Sequence, residues 1–450
     1  MSGAKNASGR KKRLDVIAKV DPGAGVSTRF LRVPRAGNTN HTRPLRIVMV
    51  IPYDPYYQPF VIRSLRFAEE LMRRGHHVDF FYAPMPAKKA GNRLRDELPG
   101  GIVGQPCRGR NLGDHKQLSR AIAACDVVHF QKAKPPHSWL ALTLGLAHGK
   151  PIHQDWDDDE GAFWLQTTSD RIRAARLSDV GSLVRTGRAA IAAGTSIATE
   201  WVIPKLVDSI GGATISLRQK CEHWGADKAA IFPARVGVDS HVFSPARRDE
   251  ALRSQLGLDG PTVVYAGSFD VRPDLDFFIS ALKRTLALQP TARCLVIGGG
   301  FGREHFIGEL TRAGVRSQVV FSNGLIPFAE MPRYLASTDL AALPFRDNAI
   351  NRGKSSLTLL ECMASGLPVV THDVGDIGWM LGGGGEIGVL DDPNDFGARM
   401  ARLLFDPEAS KKLAAAGRAR AESVFSWSGT VDYLEKAYQF AIAQSAGTKR

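Results

Sequence analysis

The segment Asn351–Asp376, NRGKSSLTLLECMASGLPVVTHDVGD, concentrates residue types that hold a phosphorylated ligand. Asn351, Gly353, Lys354, Ser355 and Ser356 make a polar, flexible lead-in, and either serine suits the N-cap of a following helix. Free backbone N–H groups at such a helix start, with Arg352 and Lys354 beside them, form an anion site suited to a diphosphate. Leu359 and Leu360 belong to the buried face. Glu361 sits one turn in, where a carboxylate accepts hydrogen bonds from a diol such as ribose. Gly366 closes the helix and Pro368 forbids its continuation.

A second cluster is acidic. Gln154–Gly161 reads QDWDDDEG, so Asp155, Asp157, Asp158 and Asp159 crowd together. Neighbouring carboxylates repel unless partnered: either one has a raised pKa and acts in proton transfer, or the group meets basic side chains. The plain role for Asp158 and Asp159 is a helix start, where the dipole favours acidic residues. Tyr56 and Tyr57, in YDPYYQP, suit stacking on a sugar or acceptor and equally suit packing of their own loop. His129, at the tip of DVVHF, is placed to face a cleft or to serve as a core histidine. The glycine runs Gly298–Gly300 and Gly382–Gly385 fit neither G-x-x-x-x-G-K-[ST] nor G-x-G-x-x-G. The first is expected to end a strand near a nucleotide, the second to be a surface turn.

These residues need elements to position them. Short, nearly all-apolar runs alternate with amphipathic stretches from Arg43 onward, as in Arg46–Pro52, Val78–Ala83, Asp126–Gln131 and Pro151–Asp155. Strands apolar throughout are buried on both faces, which predicts parallel sheets wrapped by helices in a doubly wound α/β fold. Residues 160–210 break the rhythm with a long helical region. Its Arg171, Arg173, Arg176, Arg185 and Arg188, set against Ile172, Leu177, Val180 and Leu183, suit a membrane surface or a helix packed on its own domain. The polar run Pro245–Gly257 reads as a linker. Alternation then restarts at Thr262–Ala266, Arg293–Ile297, Val319–Ser322, Asp339–Pro344 and Val369–Thr371, and Tyr433–Ala443 reads as a terminal helix.

The composition agrees with a soluble two-domain protein: 450 residues, 44% hydrophobic, 23% charged. Of the net charge of +14, a difference of +8 lies in residues 1–43, with ten Lys/Arg against Asp15 and Asp21. That tail is expected to be disordered, either touching anionic lipid or serving as a solubilising extension. No apolar run is long enough to span a bilayer, and no secretory signal is expected. Five dispersed cysteines without a C-x-x-C pair fit reduced thiols in the cytoplasm.

Leu359–Val370, LLECMASGLPVV, resembles the signature of the family 4 glycosyltransferases, retaining enzymes of the GT-B fold. Gly237–Pro245 (GVDSHVFSP) is similar to the family's GVD-x-x-x-F-x-P stretch. Val263–Phe269 resembles its first C-domain strand, and Phe321–Phe345 the elements before its donor helix. QDWDDDEG resembles a D-W-D-D subgroup. The resemblance covers about residues 44–440 and implies that Glu361 binds the donor's ribose hydroxyls. It also shows departures. The family's second Glu, eight residues upstream, is here Gly353. Its diphosphate-holding Arg and Lys are replaced around Gly267–Asp274, which leaves Arg272, Arg352 and Lys354 as substitutes. The family's N-domain histidine falls on Asp157, and a carboxylate there suits an oxocarbenium-like charge.

The expectation is therefore GT-B: two doubly wound Rossmann-like domains facing across a cleft. The divisions are a basic tail at 1–43, an acceptor domain at 44–245, a donor domain at 246–430 and a terminal helix at 431–450 returning to the N-domain. Asp157, Asp155 and Arg272 are assigned to catalysis. Glu361, Asn351, Arg352, Lys354 and Ser355 are assigned to the donor, and Tyr56, Tyr57 and His129 to the acceptor. The partners are a nucleotide sugar, a glycan or lipid-linked acceptor and an anionic membrane at its periphery, with no nucleic acid, no metal and no cofactor. A degenerate transferase acting as a sugar-nucleotide-binding or partner subunit is the rival. An epimerase or phosphorylase would need a cofactor lysine or paired acid–base residues that the chain lacks.

Overall fold

The computed structural model describes residues 43–57, 59–86, 93–109, 112–174, 179–269, 271–300, 302–322, 324 and 326–447. The basic tail up to residue 42, Arg176, Leu177 and the side chain of Arg272 lie outside the described residues.

The apolar runs become strands, and their burial explains the fold. Among the described residues the first sheet contains β1 (Arg46–Ile51), β2 (His77–Tyr82), β3 (Gly104–Pro106), β4 (Val127–Gln131), β5 (Ile152–Trp156), β6 (Ser209–Gly212) and β7 (Ile231–Pro233). Their order is β3-β2-β1-β4-β5-β6-β7. The second contains β8 (Thr262–Ser268), β9 (Arg293–Gly299), β10 (Val319–Phe321), β11 (Leu340–Leu343), β12 (Val369–Thr371) and β13 (Gly385–Ile387). Their order is β10-β9-β8-β11-β12-β13. Every pairing is parallel. β4 and β5 are buried at every position, as strands covered on both faces must be. The fold class is thus the expected one, two doubly wound α/β sheets. In each, the order of strand addition reverses beside the first strand, between β1 and β4 and between β8 and β11. A doubly wound sheet opens its ligand crevice there, beyond the C-terminal strand ends.

The two halves share an apolar core. One buried cluster runs from Met49 and Phe67 through Val238 and Phe243 to Leu359 and Val369. The last helix, Trp427–Gly447, leaves the second sheet and packs across β6, β7 and the helix Ile62–Arg73. Arg74 and His76 hold its Glu435 at 2.6 and 2.9 Å.

Three expectations need correction. Gly382–Gly385 is no simple surface turn: Gly385 starts β13, and a Cβ there would strike the Val369 backbone. The Pro245–Gly257 run is not open linker, because Asp249 caps a short helix at Glu250–Gln255 and Arg333 grips Asp249 at 2.6 Å. The 160–210 region is two helices, Glu160–Ala174 and Val180–Val202, packed on each other. Its Ile172, Val180 and Leu183, the residues that packing on its own domain would cover, are exposed, which goes against that one of the two alternatives.

Candidate active site

At the reversal point of the first sheet, the ends of β1, β4 and β5 bring Tyr53, Gln131, Lys132 and Asp157 together. Lys132 follows β4 with φ of 61°, a left-handed conformation that costs a lysine free energy and turns its side chain into the cluster. Its buried Nζ donates to Asp158 at 2.7 Å and Glu160 at 3.0 Å, and stands 3.7 Å from Asp157. Tyr53 donates to Glu160 at 3.0 Å, and Lys134 reaches the Tyr53 hydroxyl at 3.1 Å.

Charge is shared unevenly in this cluster. Burial raises the Glu160 carboxyl, but Lys132 and Lys134 overcome that and leave it at about 2. Burial also raises Asp157, and Lys132 offsets this only in part, so Asp157 titrates at about 7. Gln131 donates to Asp157 Oδ2 at 2.8 Å, while Oδ1 is buried with no hydrogen-bond partner among the described residues. Asp157 is therefore a carboxyl poised near neutrality, its Oδ1 without a hydrogen bond and 3.7 Å from the Lys132 ammonium.

The neighbouring candidates are differently employed. Asp155 is fully buried and takes Arg63 in a two-pronged bond at 2.8 and 2.7 Å, so it holds the helix Ile62–Arg73 to β5. His129 is fully buried, bonded to Tyr438 at 2.8 Å, and burial lowers it to about 3. It does not reach the crevice, because the terminal helix covers it. Asp159 follows the plain reading: its Oδ1 accepts the Ala162 N–H at 2.8 Å and starts the helix Glu160–Ala174. Tyr56 and Tyr57 flank the Arg93 guanidinium, whose carbon lies 5.2 and 5.9 Å from their rings, and Tyr56 also packs edge-on against Tyr82.

On the second sheet the donor segment folds as the short helix Ala349–Arg352, a turn, and the helix Leu357–Ala364. Ser356, rather than Ser355, caps the latter by accepting the Leu359 N–H at 3.2 Å. Glu361 is buried, and burial lifts its carboxyl to about 8, with Arg66 pulling back from across the crevice. Lys354 stays near the loop, 3.2 Å from Asn351 Oδ1. Two assignments change character. Asn351 is fully buried and donates to both oxygens of Asp274 at 3.0 and 2.9 Å, which anchors the loop rather than presenting an amide. Arg352 is exposed and clasped by Asp347 at 2.6 and 2.8 Å. Arg272 begins the helix Arg272–Leu288, its side chain outside the described residues.

The halves meet around this segment. Asp376 accepts the Ile215 N–H at 3.1 Å, and Thr214 Oγ1 lies 3.5 Å from the Gly353 carbonyl. A Cβ on Gly353 would sit 3.3 Å from Asp159 Cβ, so a bulkier residue is disfavoured where the first half approaches. Sequence reading missed Tyr53, Arg63, Arg66, Lys132 and Asp274; the abrupt placement of Lys132 directly after an all-apolar strand was the available signal. Among the described residues no group of three His, Cys, Asp or Glu is arranged to hold a metal, and no helix is long and apolar enough to cross a membrane.

Residues 260–406 match the domain described as glycosyl transferases group 1. The chain is 26% identical over 436 residues to the D-inositol 3-phosphate glycosyltransferase of Rhodococcus opacus, covering 89% of this chain and 92% of that one. It is 25% identical over 364 residues to the same-named protein of Kineococcus radiotolerans, covering 73% and 82%. Sucrose-phosphate synthase from Thermosynechococcus elongatus shares the fold with a TM-score of 0.63 at 19% identity, over 89% of this chain and all of that one. Anabaena Alr3699/HepE, solved with UDP and glucose, gives 0.62 at 15% identity, over 88% of this chain and 99% of that one.

Proposed function

We propose that this chain, a GT4-like glycosyltransferase of group 1 on the GT-B fold, moves a sugar from a nucleoside-diphosphate donor to a hydroxyl acceptor with retention of configuration. The observation that carries the reading is Asp157, a carboxyl titrating at about 7 beside the crevice, in the half opposite Glu361.

The donor lies on the second half. Glu361 accepts hydrogen bonds from the ribose hydroxyls, and the N–H groups opening the helix Leu357–Ala364, with Lys354, take the diphosphate. Arg66, held by Glu69 at 2.6 Å, adds a positive field from the first half that lowers Glu361. Ionised Asp157 stabilises the positive charge that grows on the transferred sugar as the bond to the diphosphate lengthens. The leaving diphosphate takes the acceptor proton, so no separate strong base is required. The acceptor enters beside Tyr53, Lys134 and Asp157, as a hydroxyl of a glycan or lipid-linked polyol in envelope polysaccharide or glycolipid synthesis. No resident cofactor or metal takes part.

The test is a thermal-shift panel of nucleotide sugars, followed by transfer and hydrolysis assays on each hit with a chelator present. A stabilising donor that turns over undiminished in chelator, with its anomeric configuration kept in the product, is the expected result. Stabilisation without turnover, on any acceptor tried, supports the rival binding subunit. No stabilisation by any nucleotide sugar overturns the donor site.

A further inference from the structure

Half of the large apolar side chains exposed among the described residues, eight of sixteen, fall between Leu165 and Leu206. Single exposed apolar residues are ordinary on a soluble protein; a continuous stripe is not. On the helix Val180–Val202, the residues Val180, Val184, Gly187, Ile191, Gly194 and Ala198 recur at steps of three and four and share one side. All six are exposed, Val180 at 71% and Ile191 at 72% of their free surface. No charged side chain interrupts the stripe, which runs about 30 Å at the rise of an α-helix. Trp201 widens it near its end, with the Lys205 ammonium over its ring.

The charges of this hairpin are sorted by direction. Its acids Glu160 and Glu200 turn inward, to Lys132 at 3.0 Å and Lys220 at 3.1 Å. Asp170 and Asp179 are taken within the hairpin by Arg173 and Arg185. Arg173, Arg185, Arg188 and Lys205 are exposed, and Arg188 borders the apolar stripe next to Gly187.

We propose that this hairpin lies flat on an anionic lipid surface, with the stripe entering the headgroup–acyl boundary and Arg188 and Lys205 meeting lipid phosphates. Charge selects this occupant. A second copy on the stripe would set Arg188 and Lys205 beside the basic flank of its partner, with Asp170 and Asp179 already held by Arg173 and Arg185. The chain's own tail, carrying a difference of +8, would meet the same repulsion. The helix lies on the bilayer rather than in it, since no helix among the described residues is apolar enough to cross.

The experiment is co-sedimentation of the full chain with phosphatidylglycerol–phosphatidylcholine vesicles and with phosphatidylcholine alone, at low and high salt. The comparison is V184D/I191D, whose altered side chains are exposed and whose thermal unfolding checks the fold. Gly187→Cys carrying a polarity-sensitive dye reports entry directly, because the five native cysteines are buried. The expected result is binding that requires the anionic lipid, weakens in salt, shifts the dye to the blue and falls at least about tenfold in V184D/I191D. Equal binding by the variant, which keeps the tail, assigns lipid contact elsewhere and overturns the proposal. So does absence of binding, and so does a dimer in solution that dissociates in the variant.

Discussion

Asp157 combines a buried oxygen that makes no hydrogen bond with a carboxyl held near 7, and the second property has measurable consequences. The ionised form is the useful one beside a developing positive charge, so kcat/KM should rise with pH through about 7. In D157N that limb disappears and kcat falls by roughly a hundredfold or more. Stability runs the other way. A carboxyl whose pKa is raised in the folded state binds its proton there more tightly than in the unfolded chain. Stability therefore declines as pH climbs from about 4 to about 7, by up to ~1.4 kcal/mol per unit. Denaturant titrations at several pH values should show a flatter dependence in D157N. Glu361 makes a parallel case. Its carboxyl sits at about 8 without ligand, and ribose hydroxyls donate best to the ionised form. Binding of the donor's nucleoside diphosphate, followed by calorimetry, should tighten as pH rises toward 8. E361A, which loses two bonds to a charged acceptor, should weaken it by about 3 kcal/mol, or roughly hundredfold. Of the two residues, Glu361 could be recognised from its motif. Asp157 could be named as a candidate, but a run of adjacent aspartates does not reveal which one a lysine neutralises and which one burial raises.

The elements decide those roles. The helix Ile62–Arg73 is fastened to β5 by Arg63 and Asp155, a pair almost without solvent contact. Removing one partner strands the other charge in the interior. D155A should therefore lose about 3–5 kcal/mol of unfolding free energy, read from urea or thermal melts. Asp155 supports the site by fixing the helix that carries Arg66, whose charge lowers Glu361. Asn351 works similarly, tying its loop to Asp274 at the start of the helix Arg272–Leu288. Both residues were picked out by type and spacing, yet both bond to protein. A side chain's partner is set by which elements pack, and Asp155 and Arg63 are far apart in the chain. Strands were readable where apolar runs were long, as at β1 and β8. β6 (SIGG) and β13 (GEI) were missed because short glycine-bearing runs carry little pattern.

At the scale of the whole molecule, the two halves touch where the family's second glutamate would stand. Gly353 lets Asp159 approach, so restoring the family residue here should harm rather than help. G353E should raise the donor KM, and small-angle scattering should report a larger radius of gyration as the halves are pushed apart. The chain's own order of residues determined the parallel, helix-covered sheets, because uniformly apolar strands separated by helices must be buried on both faces. It also determined the donor helix and Glu361, whose signals lie within a few consecutive residues. What only the tertiary structure decided depends on distance across the fold: that Lys132 neutralises Asp158 and Glu160 and leaves Asp157 near neutrality, that burial lifts Glu361 while Arg66 opposes it, and that the apolar side of Val180–Val202 stays uncovered. Burial and Coulomb interaction act between neighbours in space, and the chain makes these groups neighbours only once it has folded.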